Sequence, residues 1–217
     1  MSIQGTVNKT LFLLALVVFS AGTAWSSPGQ WSRLLMPMVL GAFGIAVVTV
    51  FKKEWAWATS PVYAALEGII LGVLSSVFER QYPGIVIQAV SLTFGTLLGL
   101  LLAYTSRLIK ATENFKLGVA AATFGIMAVY LVNLAMGFFG RPMMFLHESS
   151  PLGIGISVFV VIIAALNLVL DFDFIERGAE SGAPKYMEWY GAFGLMVTLV
   201  WLYLEMLRLL SKMRDRR

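Results

Sequence analysis

The chain has 217 residues, of which 59% are hydrophobic and only 13% charged, and its formal charge is +4. That charged fraction is far below the roughly 25% of soluble domains, and with a mean hydropathy of +0.81 it makes lipid bilayer the solvent. The absence of cysteine and the presence of one histidine, His147, exclude disulfides, iron–sulfur clusters, thiolate zinc sites and bis-histidine haem, and no cofactor is expected. The basic residues sit between apolar runs, so they are topology signals rather than a nucleic-acid surface.

A hydrocarbon core of about 30 Å takes about 20 helical residues to cross. Seven apolar runs meet that need, at 10–26, 34–51, 61–78, 83–106, 116–139, 151–175 and 189–210. They are continuously apolar rather than alternating, which favours helices over barrel strands. The prediction is an all-α polytopic membrane protein, one domain over 1–217 built as a bundle of seven transmembrane helices. The first run, "LFLLALVVFSAGTAW", has the look of a signal peptide, but no soluble domain follows it and we expect it to stay as the first helix. Glycine pairs in "GIILG" (Gly68, Gly72) and "GTLLG" (Gly95, Gly99) predict close helix packing, with a mobile hinge as the alternative.

Trp25, Trp31, Trp55, Trp57, Trp189 and Tyr190 lie at run ends, as interface anchors do. Loop cations favour a cytoplasmic N-terminus, seven against three, whereas the tail "SKMRDRR" pulls the other way. Either that tail is outside or one run does not cross. His147 falls in the loop "FLHESSP" and is expected to be solvated, with a peripheral pH sensor as the alternative.

The acids inside the runs are the chemistry-bearing residues. Glu67 lies about two turns into the third run, Asp171 and Asp173 near the end of the sixth in "LVLDFDFIE", and Glu205 deep in the seventh in "VWLYLEMLRLL". An ionised carboxylate in lipid costs on the order of 3 kcal/mol, so each should face the bundle interior, a partner or water. Asp171 and Asp173 are about 200° apart around a helix and cannot share a face. Across the last loop, depth places Glu188 level with both of them. Glu205, about 25 Å further along the axis, would then meet Glu67 or Arg80. Two carboxylates brought together share a proton and titrate as a unit, the basis of a proton-sensitive latch. The alternative is structural hydrogen bonding within the bundle. Glu79 and Arg80 are expected at the interface, with an ion pair from Arg80 to an acid below as the alternative.

"LVLDFDFIERGAE", "VWLYLEMLRLLSKM" and "YAALEGIILGVLSSVFERQYPGIVIQAV" resemble the Bax inhibitor-1/YccA family, in its bacterial branch, over about 60 to 214. The resemblance implies seven spans, a bacterial inner membrane and a pH-sensitive calcium leak. It also implies a hydrogen-bonded acid pair that gates the pore, with Asp171, or Asp173 in the other registration, as the first acid and Glu205 in "YLE" as the second. This sequence departs from the family pattern in having Glu for the second acid, "DFD" where the family has Asp-Thr-Gln, and a larger separation between the two.

The expected function is a passive cation leak gated by protons at Asp171, Asp173, Glu205 and Glu67, with calcium as the ion that the resemblance implies and Asp171 and Asp173 as its transient contacts. One alternative is a proton-coupled secondary transporter, against which the lack of a visible inverted repeat counts. The other is a non-conducting protein that modulates a membrane partner such as a protease. Catalysis is not expected: Ser157 lacks a rhomboid context, no His-Glu-x-x-His occurs, and the last run offers no retinal lysine before Lys212.

Overall fold

The protein is described by a computed structural model that covers residues 1–140, 143 and 148–216. His147, Arg141 and Arg217, weighed above as a sensor and as topology cations, lie outside the described residues. Among the described residues the chain is all-helical, with α1 (Ile3–Ser26), α2 (Pro28–Ser32), α3 (Leu35–Phe51), a 3-10 turn at Lys53–Trp55, α4 (Ala56–Gln81), α5 (Ile85–Thr105), α6 (Glu113–Phe138), α7 (Pro151–Glu180) and α8 (Met187–Asp215). Six of them, α1 and α4 to α8, are long and apolar enough to cross a membrane. The expected second span, α3, is apolar but 17 residues long. That is about 25 Å, short of a core of about 30 Å, so six of the expected seven helices reach the length of a crossing and α3 does not.

Polarity is distributed as lipid demands. Phe19 (72% exposed) and Phe51 (81%) face outward, whereas Glu205 (2%) and Lys212 (4%) are buried. In water this would be an aggregating surface; in a bilayer it is the low-energy arrangement.

The helices outrun the apolar stretches because caps, not hydropathy, end a helix. Ser2 caps α1, its hydroxyl accepting from the Gly5 N–H at 3.1 Å. α7 continues past 175 to Glu180 and closes in a Schellman turn. There Ala183 N–H donates to the Gly178 carbonyl (2.9 Å) and Gly182 N–H to that of Ala179 (3.2 Å). Gly182 takes φ +65°, the left-handed conformation that this motif requires. Asp171 and Asp173 are therefore about two turns inside α7, not at its end. α8 is likewise continuous through Gly191 and Gly194.

The chain forms two compact units, Met1–Pro83 with Asp171–Val197, and Gly84–Leu170 with Thr198–Arg217. α7 and α8 each contribute one end to each unit. In the first unit, α1 buries Thr6, Thr10, Leu13, Val17, Ser20 and Ala24, a stripe spaced alternately by four and three residues that marks one helix face. This stripe meets α4 at the "GIILG" glycines. A Cβ on Gly68 would press on Val17 and Ser20, and one on Gly72 on the Ala21 backbone. The packing reading of that pair therefore holds. The second pair behaves differently: a Cβ on Gly95 or Gly99 would meet open space, so "GTLLG" makes no close helix contact among the described residues. The second unit centres on Ile126, Val160 and Ile163, packed with Ile156, Leu166 and Trp201. There Asn167 donates to the Thr123 hydroxyl and the Ile163 carbonyl, both at 2.8 Å.

Gly72→Leu should therefore destabilise the protein by roughly 1–3 kcal/mol through overpacking, while Gly99→Leu should stay within about 0.5 kcal/mol. Thermal melts of the two variants in the same detergent check this pair.

Candidate functional site

In the first unit, one stretch of α8 is approached by Asp171 of α7 and by Tyr63 of α4, the hydrogen-bond partner of Glu67. Asp171 comes from α7: a Cβ on Gly194 of α8 would lie in van der Waals contact with Asp171 Oδ1, at 3.5 Å, so the carboxylate lies beside α8 at this glycine. Glu67 comes from α4. It is hydrogen-bonded by the Tyr63 hydroxyl one turn earlier, and the Tyr63 ring packs edge-on against Phe193 at 5.2 Å. Phe193 and Gly194 thus receive α4 through an aromatic contact and α7 through a carboxylate.

Asp173, on the other side of α7 as its 200° offset requires, is held by Arg177 one turn on, at 3.0 Å to Oδ2 and 3.2 Å to Oδ1. Arg177 is 57% exposed, so this is an i,i+4 pair of modest strength. Arg80 is exposed in the last turn of α4, where a cation complements the helix dipole.

Glu188 does not partner Asp171 or Asp173 as its depth suggested. Its carboxylate, 6% exposed, is ion-paired with Lys9 of α1 and accepts from the Ser2 N–H (2.9 Å) and hydroxyl (3.1 Å). The Lys9 ammonium also sits 5.5 Å from the centre of the Trp189 ring, and Trp189 meets Phe12 edge-on. Gly5 is what makes room, since any side chain there would strike the Glu188 carboxylate.

In the second unit, Glu205 takes Tyr130 of α6 and Arg208 in place of the Glu67 or Arg80 that depth suggested. The Tyr130 hydroxyl donates to Glu205 Oε1 at 3.0 Å and accepts from Arg208 at 2.6 Å, while Arg208 Nη1 reaches both carboxylate oxygens at 2.9 and 3.0 Å. Each member of this triad is satisfied by the other two. One turn further along α8, Lys212 donates to the Ser157 hydroxyl (2.9 Å) and the Gly153 carbonyl (3.1 Å) of α7.

Sequence reasoning missed Lys9, Tyr130, Arg208 and Lys212, three of them set aside as topology cations. For Arg208 a signal existed, the i,i+3 spacing from Glu205. For Lys9 it was being the only cation on an otherwise apolar first helix. Tyr130 gave none, because its partners lie more than seventy residues away.

Lys9→Met should cost roughly 3 kcal/mol, because it leaves the buried Glu188 carboxylate without its cation. The double variant Lys9→Met/Glu188→Met should recover part of that loss. Unfolding followed for both single variants and the double variant measures the coupling; a double-variant loss equal to the sum of the two single-variant losses would show that the two side chains act independently.

Compared with known proteins, the chain finds no match among curated sequences. It does match the family described as Bax inhibitor 1 like, over residues 1–215. That span takes in every carboxylate described above and all eight helices. The chain therefore belongs to the Bax inhibitor 1 like family of membrane proteins.

Proposed function

We propose that this protein is a passive, pH-sensitive cation leak, with calcium as the conducted ion and protons as the gating ligand, and that it has no catalytic role. The carrying observation is the seat of Asp171, a carboxylate about two turns inside a membrane-crossing helix and set against the α8 backbone at a glycine. A carboxylate there changes charge at a helix–helix contact, and a neutral acid and a carboxylate differ by several kcal/mol in what they tolerate next to apolar and backbone groups. Protonation at Asp171 then selects between two packings of α7 on α8 in the first unit, and Glu67 on α4 adds a second acid to the same stretch of α8.

Hard divalent cations take oxygen ligands, which Asp171 and the backbone supply, and conduction wants few of them so that the ion can leave. The ion itself rests on the family resemblance. In this reading α3 is a seventh, tilt-free crossing in the cytoplasmic membrane of a bacterium, its 17 residues being within reach of a locally thinned bilayer.

Calcium flux into proteoliposomes of purified protein, followed from acid to alkaline pH, tests the proposal. Asp171→Asn is expected to flatten the pH profile. Asp173→Asn, whose carboxylate is already held by Arg177, should keep the wild-type shape. Flux no greater than that of empty liposomes at every pH would overturn the leak.

A further inference from the structure

Two polar groups in one turn of α4 lack the partners that a regular helix in lipid would give them. Pro61 lies inside this helix. A proline has no N–H, so the Trp57 carbonyl, four residues back, is denied the donor of a regular turn, and the ring crowds that carbonyl outward. Ser60, the residue before the proline, is fully buried, and its hydroxyl has no hydrogen-bond partner among the described residues. Other buried hydroxyls of the first unit are bonded to their own helix. Thr10 donates to the Thr6 carbonyl at 3.0 Å and Ser76 to the Val73 carbonyl at 2.8 Å. The Ser60 hydroxyl instead bears the full desolvation penalty of an unmatched polar group.

Helical geometry brings the two groups together. A helical side chain leans back over the preceding turn, so the Ser60 hydroxyl stands over the turn that ends in the Trp57 carbonyl. The surroundings are small and apolar: Ala56 and Ala64, one turn either way on the face of Ser60, are both fully buried. The hydroxyl can donate or accept, and the carbonyl can only accept. A ligand that serves both must therefore be small, neutral and a donor.

We propose that the Ser60–Pro61 turn holds one buried water molecule, which donates to the Trp57 carbonyl and is held by the Ser60 hydroxyl. Buried waters settle where polar groups are otherwise unmatched, and membrane helices keep a proline where water or a hydroxyl takes up the freed carbonyl. A metal cation would want charged ligands that two neutral groups do not supply, and an anion would be repelled by the carbonyl. The site divides α4 between two attachments. Before it, Thr59 is bonded to Thr49 of α3 at 2.7 Å; after it, Gly68 and Gly72 sit against α1. A water in the ladder marks the turn at which a helix bends most easily. The site is independent of whether the protein conducts ions.

The test joins labelling to a double-variant cycle on the full chain in lipid nanodiscs. X-ray radiolysis makes hydroxyl radicals from water where it sits, so a buried water labels the side chains beside it. Wild type is expected to label Tyr63, buried on the neighbouring turn, and to leave the fully buried Met196 unlabelled; Ser60→Ala should remove the Tyr63 label. Thermal melts of wild type, Ser60→Ala, Pro61→Ala and the double variant supply the cycle. Pro61→Ala returns an N–H to the Trp57 carbonyl and so takes away the water's second anchor. Ser60→Ala is then expected to lower Tm by about 3 °C more in the proline background than in the alanine background, the weight of one net hydrogen bond in a chain of this size. The helix propensity gained from Ser to Ala is common to both backgrounds and cancels. Equal shifts in the two backgrounds, a Tyr63 label that persists in Ser60→Ala, or no Tyr63 label in wild type would each overturn the site. If a Pro61 variant fails to fold, the labelling alone decides.

Discussion

A charge inside a bilayer must be met by a partner, and that constraint orders the polar contacts of this protein. In the first unit Glu188 of α8 is met by Lys9 and Ser2 at the start of α1. In the second, Glu205 of α8 is met by Tyr130 of α6 and Arg208, and Lys212 of α8 by Ser157 and Gly153 of α7. Each of these partnerships places one of its members on α8. Hydrophobic burial cannot distinguish one helix face from another when the solvent is itself hydrocarbon. The directional contacts of α8, together with the close fit of α1 into the α4 glycines, supply the specificity that an apolar core would supply in water.

Asp171 belongs to a different class. Glu188 and Glu205 each receive a cation and at least one hydroxyl, so their charge is stabilised where it sits. Asp171 lies beside α8 at a glycine, where a Cβ on Gly194 would come to 3.5 Å from its Oδ1. A carboxylate clamped by a cation resists a change of protonation state, whereas one set against backbone couples its state to how closely two helices pack. On the gating reading proposed above, Glu188 and Glu205 serve the architecture, and Asp171, with Glu67 behind the Tyr63–Phe193 contact, supplies the protonation that changes the packing of α8.

Much of this was legible in the sequence. The helical class, the apolar runs, the packing glycines of "GIILG" and the acids within the runs all follow from composition and spacing. The partners of those acids do not, and one error explains most of the misassignment. Reading the sixth run as ending at 175 and the seventh as starting at 189 placed Glu188 opposite Asp173. The Schellman turn at Gly182 extends α7 to Glu180, and α8 begins at Met187, leaving a loop of residues 181–186. In an antiparallel pair with that loop, Glu188 is level with about residue 179 and Asp171 with the turn that contains Gly194. Hydropathy measures where lipid ends, caps determine where a helix ends, and the register between α7 and α8 follows the caps. The glycines of "GTLLG" show the converse limit: small residues permit a close approach, but only a partner helix in place turns permission into contact.

Two of the attachments of α8 within the first unit, to α7 and to α1, differ in stiffness. On the α7 side, Asp171 has a short side chain against backbone, and displacing it by the width of a methylene changes the contact outright. On the α1 side, Lys9 reaches Glu188 through a four-carbon stem with many accessible rotamers, and Ser2 adds hydroxyl and amide contacts at the start of the helix. A long, adaptable ion pair can follow α8 through a displacement of a few ångströms without losing its charge compensation. On the gating reading proposed above, this ordering of side-chain lengths would let α8 shift against α7 while remaining tethered to α1. Replacing the tether by a short pair, or Gly194 by a residue with a side chain, would remove the difference in stiffness on which such a movement depends.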